Sequence, residues 1–126
     1  RELWGRYWVF AHNGDLKEFR LPTSKFYYPV GQTDSEQAFC LILETLHASF
    51  PNGKPEISQL YQVLHDITAQ IATFGTFNYL LSDGEHFFAH CSTHLNYIVR
   101  QAPFAAAHLI DADVTVDFQA LTTPSD

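Results

Sequence analysis

Residues 33–50 read TDSEQAFCLILETLHASF, and this stretch decides the fold class because it predicts an amphipathic helix. Thr33 and Glu36 have the spacing of a capping box, in which Thr33 accepts a hydrogen bond from the Glu36 amide and the Glu36 side chain reaches back. Apolar residues then recur at helical spacing, before Pro51 and Gly53 end the helix, at Phe39, Ile42, Leu43, Leu46 and Phe50. A helix with one apolar face needs another surface to cover.

A second amphipathic helix follows directly. It is predicted to begin near Pro55 and Glu56, because proline suits a first helical turn and a glutamate complements the helix dipole. Its apolar stripe is closed by Gly75 and consists of Ile57, Leu60, Tyr61, Leu64, Ile67, Ile71 and Phe74. Two successive helices of this kind require a shared layer.

Strand-like runs on both sides of the helices supply that layer. They are aromatic or β-branched, and they read RYWVFAH (6–12), TFNYLLS (76–82), HFFAHC (86–91), LNYIVR (95–100), AAAHLI (105–110) and VTVDF (114–118). Asp83-Gly84 between the second and third runs is a type I′ hairpin signal. The order of one strand, two helices and then antiparallel strands predicts an α+β layered fold, with the helices against one sheet face.

Size and composition limit the classes of protein that fit. The chain has 126 residues, of which 46% are hydrophobic and 17% charged, as in one globular domain. A net charge of −7 with only seven Lys and Arg argues against nucleic acid as a partner. No apolar run approaches the roughly 20 residues of a membrane helix. Cys40 and Cys91 lie in apolar surroundings, which favours inert thiols in a reducing, cytoplasmic setting.

The His12-Asn13-Gly14 motif has two interpretations. Asn-Gly is a common turn, and residues 15–22 lack strand alternation. Alternatively, a strand that ends in Asn-Gly can aim the Asn13 amide and the Gly14 backbone N–H in one direction. Two such donors stabilise a developing oxyanion, and glycine would let a substrate come close to the backbone.

Asp34 also has two interpretations. An acidic residue in a first helical turn is favoured by the positive end of the helix dipole. The alternative is a carboxylate that pairs with the ammonium group of a substrate. The residues alone leave both open.

The histidines suggest a metal site that the local pattern does not support. His86, His90 and His94 are spaced by four, which would line one face of a helix, but they follow a hairpin signal and fall in a strand and loop. Neither HExxH nor Cys-x-x-Cys accompanies them. We expect no metal and no cofactor, and a histidine-based metal-binding protein is the weakest hypothesis.

Taken together, WVFAHNGDL (8–16) and VGQTDSEQAFCLIL (30–43) resemble the class II, N-terminal-nucleophile glutamine amidotransferases. The likeness is greatest to the small stand-alone bacterial type-2 amidotransferases. It extends through FNYLLSDGEHFFAHCST (77–93) and QAPF (101–104), so it covers nearly the whole chain.

The resemblance implies a fold, a reaction and three site residues. The fold would be a four-layer αββα sandwich, and the reaction the hydrolysis of glutamine to glutamate and ammonia through a cysteinyl thioester. Asn13 and Gly14 match the oxyanion-hole pair, and Asp34 matches the residue that binds the α-amino group of glutamine. The acceptor of the ammonia, or a synthase partner, is not identified by these residues.

One departure from the family pattern concerns the nucleophile, which is a cysteine at the mature N-terminus whose own amine serves as general base. Position 1 is Arg1, and Cys40 and Cys91 both follow the HNG motif, which the nucleophile precedes. Residues 1–126 are therefore expected to be the central and C-terminal part of one amidotransferase domain, an internal fragment that is inactive alone. The alternative is a regulatory or scaffolding domain that keeps the fold without catalysis.

Overall fold

The computed structural model describes residues 1–20, 22, 24–93 and 95, together with the backbone of two short strands further along. The chain divides into two compact units, Arg1–Leu95 and Asn96–Asp126. The first unit contains β1 (Glu2–Leu3), β2 (Arg6–Tyr7), β3 (Val9–Leu16), α1 (Asp34–Ser49), α2 (Ile57–Ala72), β4 (Gly75–Ser82) and β5 (Phe87–His90). In the second unit, β6 (Ala107–Leu109) pairs antiparallel with β7 (Val114–Val116). The strand predicted over 95–100 falls outside the described residues, apart from Leu95.

The central feature of the first unit is an antiparallel sheet with the strand order β3-β4-β5. Asn13 is opposite Asn78 and Gly14 is opposite Phe77 across the first pair of strands. Alternation sends Phe77, Tyr79 and Leu81 of β4 into the core, whereas Leu80 is exposed. One face of the sheet is thus apolar and buried.

Helix α1 confirms half of the predicted capping box. The Thr33 side chain accepts a hydrogen bond of 3.2 Å from the Glu36 amide. The predicted return bond is wrong, because the Glu36 carboxylate accepts instead from the backbone amides of Val30 and Gly31 and pairs with Arg1. These bonds fasten the long β3–α1 connection to the start of the helix.

Helix α2 confirms most of its predicted stripe. Leu60, Leu64, Ile67 and Ile71 are buried, whereas Ile57, Tyr61 and Phe74 at the margins of the stripe are exposed. The helix ends at Ala72, and Gly75 begins β4 instead of closing the helix.

The core lies between the two helices and the inner face of the sheet. Trp8, Ile42, Leu43, Leu46, Phe77 and Leu81 are each at most 1% exposed, and they form one cluster with the α2 stripe. The opposite face carries exposed apolar side chains, among them Val9, Leu80 and Phe87. The predicted α+β class, with two helices and antiparallel sheets, is therefore confirmed.

The β4–β5 hairpin is confirmed, but its predicted turn type is wrong. The ladder ends at the Ser82–Phe87 pair, so Asp83 to His86 connect the strands. Within this connection only Gly84 has a positive φ, of 83°, whereas a type I′ turn at Asp83-Gly84 needs two. The Asp83 carboxylate closes the turn by accepting hydrogen bonds from the amides of Glu85 and His86.

Among the described residues, no helix is both long and apolar enough to cross a membrane.

Candidate active site

Asn13 and Gly14 lie inside β3, so the turn interpretation of this motif is wrong, and the strand does not end at Asn-Gly as the alternative interpretation assumed. The strand continues to Leu16 and pairs with β4 along its whole length. A Cβ added at Gly14 would overlap the carbonyl oxygen of Thr76 and lie 2.8 Å from Nε2 of His12. The need for glycine therefore arises from the close approach of two strands and a histidine ring.

The backbone of Gly14 faces the edge of the sheet. Opposite it, Phe77 uses both of its backbone groups on the β5 side, because its N–H donates to Ser92 Oγ and its carbonyl accepts from the same hydroxyl. In an antiparallel pair, the N–H and carbonyl of one residue point the same way, so Gly14 and Phe77 are not hydrogen-bonded to each other. The Gly14 N–H is thus directed away from β4, toward the edge of the sheet where Leu16 also presents its N–H.

The Asn13 side chain is exposed on the opposite sheet face from the helices. It lines a shallow depression of about 240 Å³ together with Asn78, Leu80, His90 and Cys91. Its carboxamide has no hydrogen-bond partner among the residues that the structure describes. A side-chain amide and a backbone N–H therefore stand next to each other, both free of the β3–β4 ladder.

Asp34 joins the end of β3 to the start of α1. Its carboxylate accepts a hydrogen bond of 3.0 Å from the Leu16 amide and one of 2.7 Å from the Ser35 amide. Burial raises the pKa of Asp34, but these hydrogen bonds, with the nearby His12 ring, outweigh burial and leave the pKa below its usual range. Asp34 is thus an ionised group with a structural role, and it remains partly exposed.

His12 lies between the Asn13-Gly14 segment of β3 and the first turn of α1 that contains Asp34. The sequence pattern did not single out this histidine as a site residue. Its Nδ1 lies 2.9 Å from the Ser35 hydroxyl, and its Nε2 lies 3.4 Å from the Thr76 carbonyl oxygen. The ring packs against Phe77 on the helix side of the sheet. The available signal was the period-two alternation of Phe10, His12 and Leu16, which places them on one face.

Cys40 and the cluster around His86 do not have the surroundings of a catalytic or metal centre. Cys40 is fully buried within α1, and burial raises the pKa of its thiol. Asp83, Glu85 and His86 have metal-like spacing, but the Lys54 ammonium lies among them, 2.7 Å from Asp83 and 2.9 Å from Glu85. The position that a cation would take is thus filled by a side chain. His94 of the predicted histidine set lies outside the described residues.

Comparison with known proteins gives a consistent family. The family model described as "Glutamine amidotransferases class-II" matches residues 1–126. The chain is 48% identical over 118 residues to "Putative glutamine amidotransferase" of Haemophilus influenzae, with 94% of this chain and 40% of that protein covered. It is 43% identical over 126 residues to "Putative glutamine amidotransferase YafJ" of Escherichia coli, with 100% and 49% covered.

A solved structure also matches the fold. The crystal structure of a "predicted glutamine amidotransferase" from Pseudomonas aeruginosa superimposes with a TM-score of 0.80 at 50% identity, and it covers 93% of this chain and 46% of that one. The chain therefore spans less than half the length of each of these relatives. The family model matches every residue of the chain, and the chain belongs to the class II glutamine amidotransferases.

Proposed function

We propose that the complete protein hydrolyses the side-chain amide of glutamine to glutamate and ammonia. Residues 1–126 would be the central and C-terminal part of this one catalytic domain. The support is the family match over the whole chain, combined with an Asn13 carboxamide that has no hydrogen-bond partner among the described residues and a Gly14 N–H that points away from β4. A cytoplasmic setting and an ammonia acceptor on another domain or protein belong to the same proposal.

The nucleophile is a cysteine outside residues 1–126. Cys40 is unsuited to that role, because a thiol with a raised pKa inside a packed helix is a poor nucleophile and is out of reach of a substrate. Attack of the external thiolate on the carboxamide carbon gives a tetrahedral oxyanion. Its collapse breaks the C–N bond and leaves a thioester, while the N-terminal amine passes the proton taken from the thiol to the leaving nitrogen, which departs as ammonia. Water then hydrolyses the thioester to glutamate and restores the thiol.

Asn13 and Gly14 hold that oxyanion in our proposal. The observation that carries it is that the Asn13 carboxamide, which has no hydrogen-bond partner in the described part of the chain, is followed along β3 by a Gly14 N–H that β4 does not bind. Donors held by a strand need no reorganisation when charge develops on the substrate oxygen, which is the condition for electrostatic catalysis.

Asp34 binds the α-ammonium group of glutamine. Its two oxygens offer about four acceptor sites, and the amides of Leu16 and Ser35 occupy two of them. The ionised carboxylate therefore keeps capacity for a cationic partner. Because those amides also hold the carboxylate in place, it is fixed before glutamine arrives.

A scaffolding domain without catalysis is the second candidate. It would keep Gly14 and Asp34, since both have structural roles in joining β3 to its neighbours. It would have no use for the Asn13 carboxamide, which holds nothing in the described part of the chain. Asn13 therefore separates the two candidates more sharply than Gly14 or Asp34.

The test is glutamine hydrolysis by the intact protein carrying Asn13→Ala. We expect kcat to fall by about 10²–10³, with KM changed much less, because the lost bond forms in the transition state. Asn52→Ala, at an exposed turn, is the matched control and should retain wild-type rates. An unchanged kcat in Asn13→Ala would exclude the oxyanion role and favour the scaffold.

Asp34→Asn tests the ammonium site separately. The amide keeps the shape and one acceptor oxygen but removes the charge, so KM for glutamine should rise about tenfold or more while kcat changes little. Asp66→Asn, which removes an exposed carboxylate on α2, serves as the control. A wild-type KM in Asp34→Asn would remove this role.

A further inference from the structure

We propose that Asn78 is a positioning residue for Asn13. In the complex with substrate, its side-chain NH₂ group donates to the Asn13 carboxamide oxygen and so turns the Asn13 NH₂ group toward the reacting oxygen. The inference rests on the proposed oxyanion role of Asn13 and adds a second residue to it. Its basis is the register of β3 and β4, the fixed orientation of the Asn78 carboxamide and the free N–H groups of both side chains.

The two carboxamides are neighbours across the sheet. Asn13 lies directly opposite Asn78 in the β3–β4 ladder, and both line the depression of about 240 Å³ on the face opposite the helices. Side chains directly opposite each other have Cβ atoms about 4.5–5.5 Å apart, which is within reach of a bond between two carboxamides. The pair is not hydrogen-bonded in the structure. Because the terminal torsion of an asparagine is soft, rotation of the Asn13 carboxamide can join them at little cost.

The orientation of the Asn78 carboxamide is fixed where the chain leaves β5. Beyond His90, the Ser92 hydroxyl contacts both backbone groups of Phe77, and the Ser92 backbone N–H donates to Asn78 Oδ1 across 2.8 Å. A backbone N–H can only donate, so its partner in the carboxamide is the oxygen. Nδ2 of Asn78 then carries two N–H groups that have no partner among the described residues.

This fixed orientation determines which way Asn13 is best turned. Only the NH₂ end of Asn13 can stabilise a negative oxygen, so its Oδ1 must face elsewhere. Asn78 presents free donors, which favours Oδ1 of Asn13 on the β4 side and directs its NH₂ group away from β4. The Gly14 N–H is also directed away from β4, so the two donors of the proposed oxyanion hole converge. A donor held in place before charge develops needs no reorganisation.

The other described residues around the depression offer Asn13 no comparable donor. His12, Tyr79 and His90 form one cross-strand row whose side chains lie on the helix side of the sheet. The Cys91 thiol is only a weak donor. The remaining lining side chains are apolar, and they are those of Ala11, Leu80 and Leu95.

The experiment measures kcat and KM for glutamine hydrolysis by the intact protein carrying Asn78→Asp. The carboxylate keeps the oxygen that accepts from Ser92 but replaces the donor end with an acceptor. It should draw the Asn13 NH₂ group toward itself, so kcat should fall about 10²-fold with KM nearly unchanged, close to the loss of the Asn13 donor itself. Asn78→Ala leaves Asn13 without bias, and its kcat should fall only about two- to fivefold.

A double-mutant cycle with Asn13→Ala separates positioning from other effects. If Asn78 acts through Asn13, Asn78→Asp should change kcat by less than about twofold once Asn13 is alanine, and Asn78→Ala should behave alike. A direct repulsion between the new carboxylate and the oxyanion would persist in the Asn13→Ala background. The neutral Asn78→Ala cycle decides the question if Asn78→Asp does not fold.

Two matched controls test charge and strand geometry. Asn52→Asp adds the same charge at an exposed turn and should keep wild-type kcat and KM. Ser92→Ala removes both contacts with Phe77 but keeps the backbone N–H that bonds Asn78. It should lower the urea midpoint of unfolding and change kcat by less than about threefold.

The outcomes distinguish this inference from the proposed function. A wild-type kcat in Asn78→Asp, an equal loss of kcat in Ser92→Ala, or the same factor of loss with and without Asn13 each overturns the positioning role and leaves glutaminase activity standing. A complete lack of glutamine hydrolysis by the intact wild-type protein contradicts the proposed function, and the inference fails with it.

Discussion

Replacing Gly14 by alanine tests whether this glycine is required by the sheet or by a substrate. The added methyl group would overlap the Thr76 carbonyl oxygen and lie 2.8 Å from Nε2 of His12. The Thr76 carbonyl belongs to the backbone of β4, which pairs with β3, so this oxygen can move only if the two strands separate. If glycine served only to admit a substrate, the same methyl group would leave the stability of the protein unchanged.

The magnitude follows from the kind of atom that must move. Overpacking a methyl group against a fixed backbone costs about 1–3 kcal/mol, and displacement of the His12 ring places this site at the upper end. We therefore expect Gly14→Ala to lower the free energy of unfolding by about 2–3 kcal/mol. With a typical urea m-value, the midpoint of unfolding falls by about 1 M.

Urea denaturation of the intact protein, followed by tryptophan fluorescence, measures this change, because Trp8 lies in the core just before β3. Gly84→Ala is the matched control. Gly84 has a φ of 83° and open space where a methyl group would be added, so its substitution costs only backbone strain, about 1–2 kcal/mol. A Gly14→Ala protein as stable as wild type, or more stable than Gly84→Ala, would refute the steric argument.

Two further predictions concern the groups that hold the loops. Lys54→Met leaves the fully buried Asp83 carboxylate without its cation, so the free energy of unfolding measured in urea should fall by about 3 kcal/mol. Lys17→Met, at an exposed position, should leave that free energy unchanged, and equal stabilities of the two variants would contradict the prediction. Glu44 accepts hydrogen bonds from the Ser24 hydroxyl and from three backbone amides over 25–27. Glu44→Gln should accelerate hydrogen exchange of those three amides about tenfold, and unchanged exchange rates would show that Glu44 does not hold this loop. Burial raises the pKa of Glu44, but these hydrogen bonds outweigh burial, so the pKa is lower in the folded protein than in the unfolded chain. The contribution of Glu44 to stability is therefore complete above the unfolded pKa of about 4.3 and is lost as the pH falls through the lower pKa of the folded protein.

The sequence predicted the helices better than the turns. The stripes of α1 and α2 are repeated over four turns each, so a single misplaced residue does not change the interpretation. The Asn-Gly and Asp-Gly signals are two residues long, and contacts with other residues overrode both local preferences. Gly14 remains in β3 because β4 pairs with it, and the Asp83 carboxylate sets a different turn from the one predicted.

By itself, the sequence determined the α+β class, because composition and periodicity decide it, and its resemblance to a known family gave the family and the candidate residues Asn13, Gly14 and Asp34. Only the tertiary structure decided what surrounds them. His12 and Ser35 are 23 residues apart, and Gly14 and Thr76 are 62 apart, so no spacing in the chain relates them. Their contacts arise from the packing of α1 and β4 on either side of β3. That packing frees the Asn13 carboxamide and binds the Asp34 carboxylate, which the residues themselves could not distinguish.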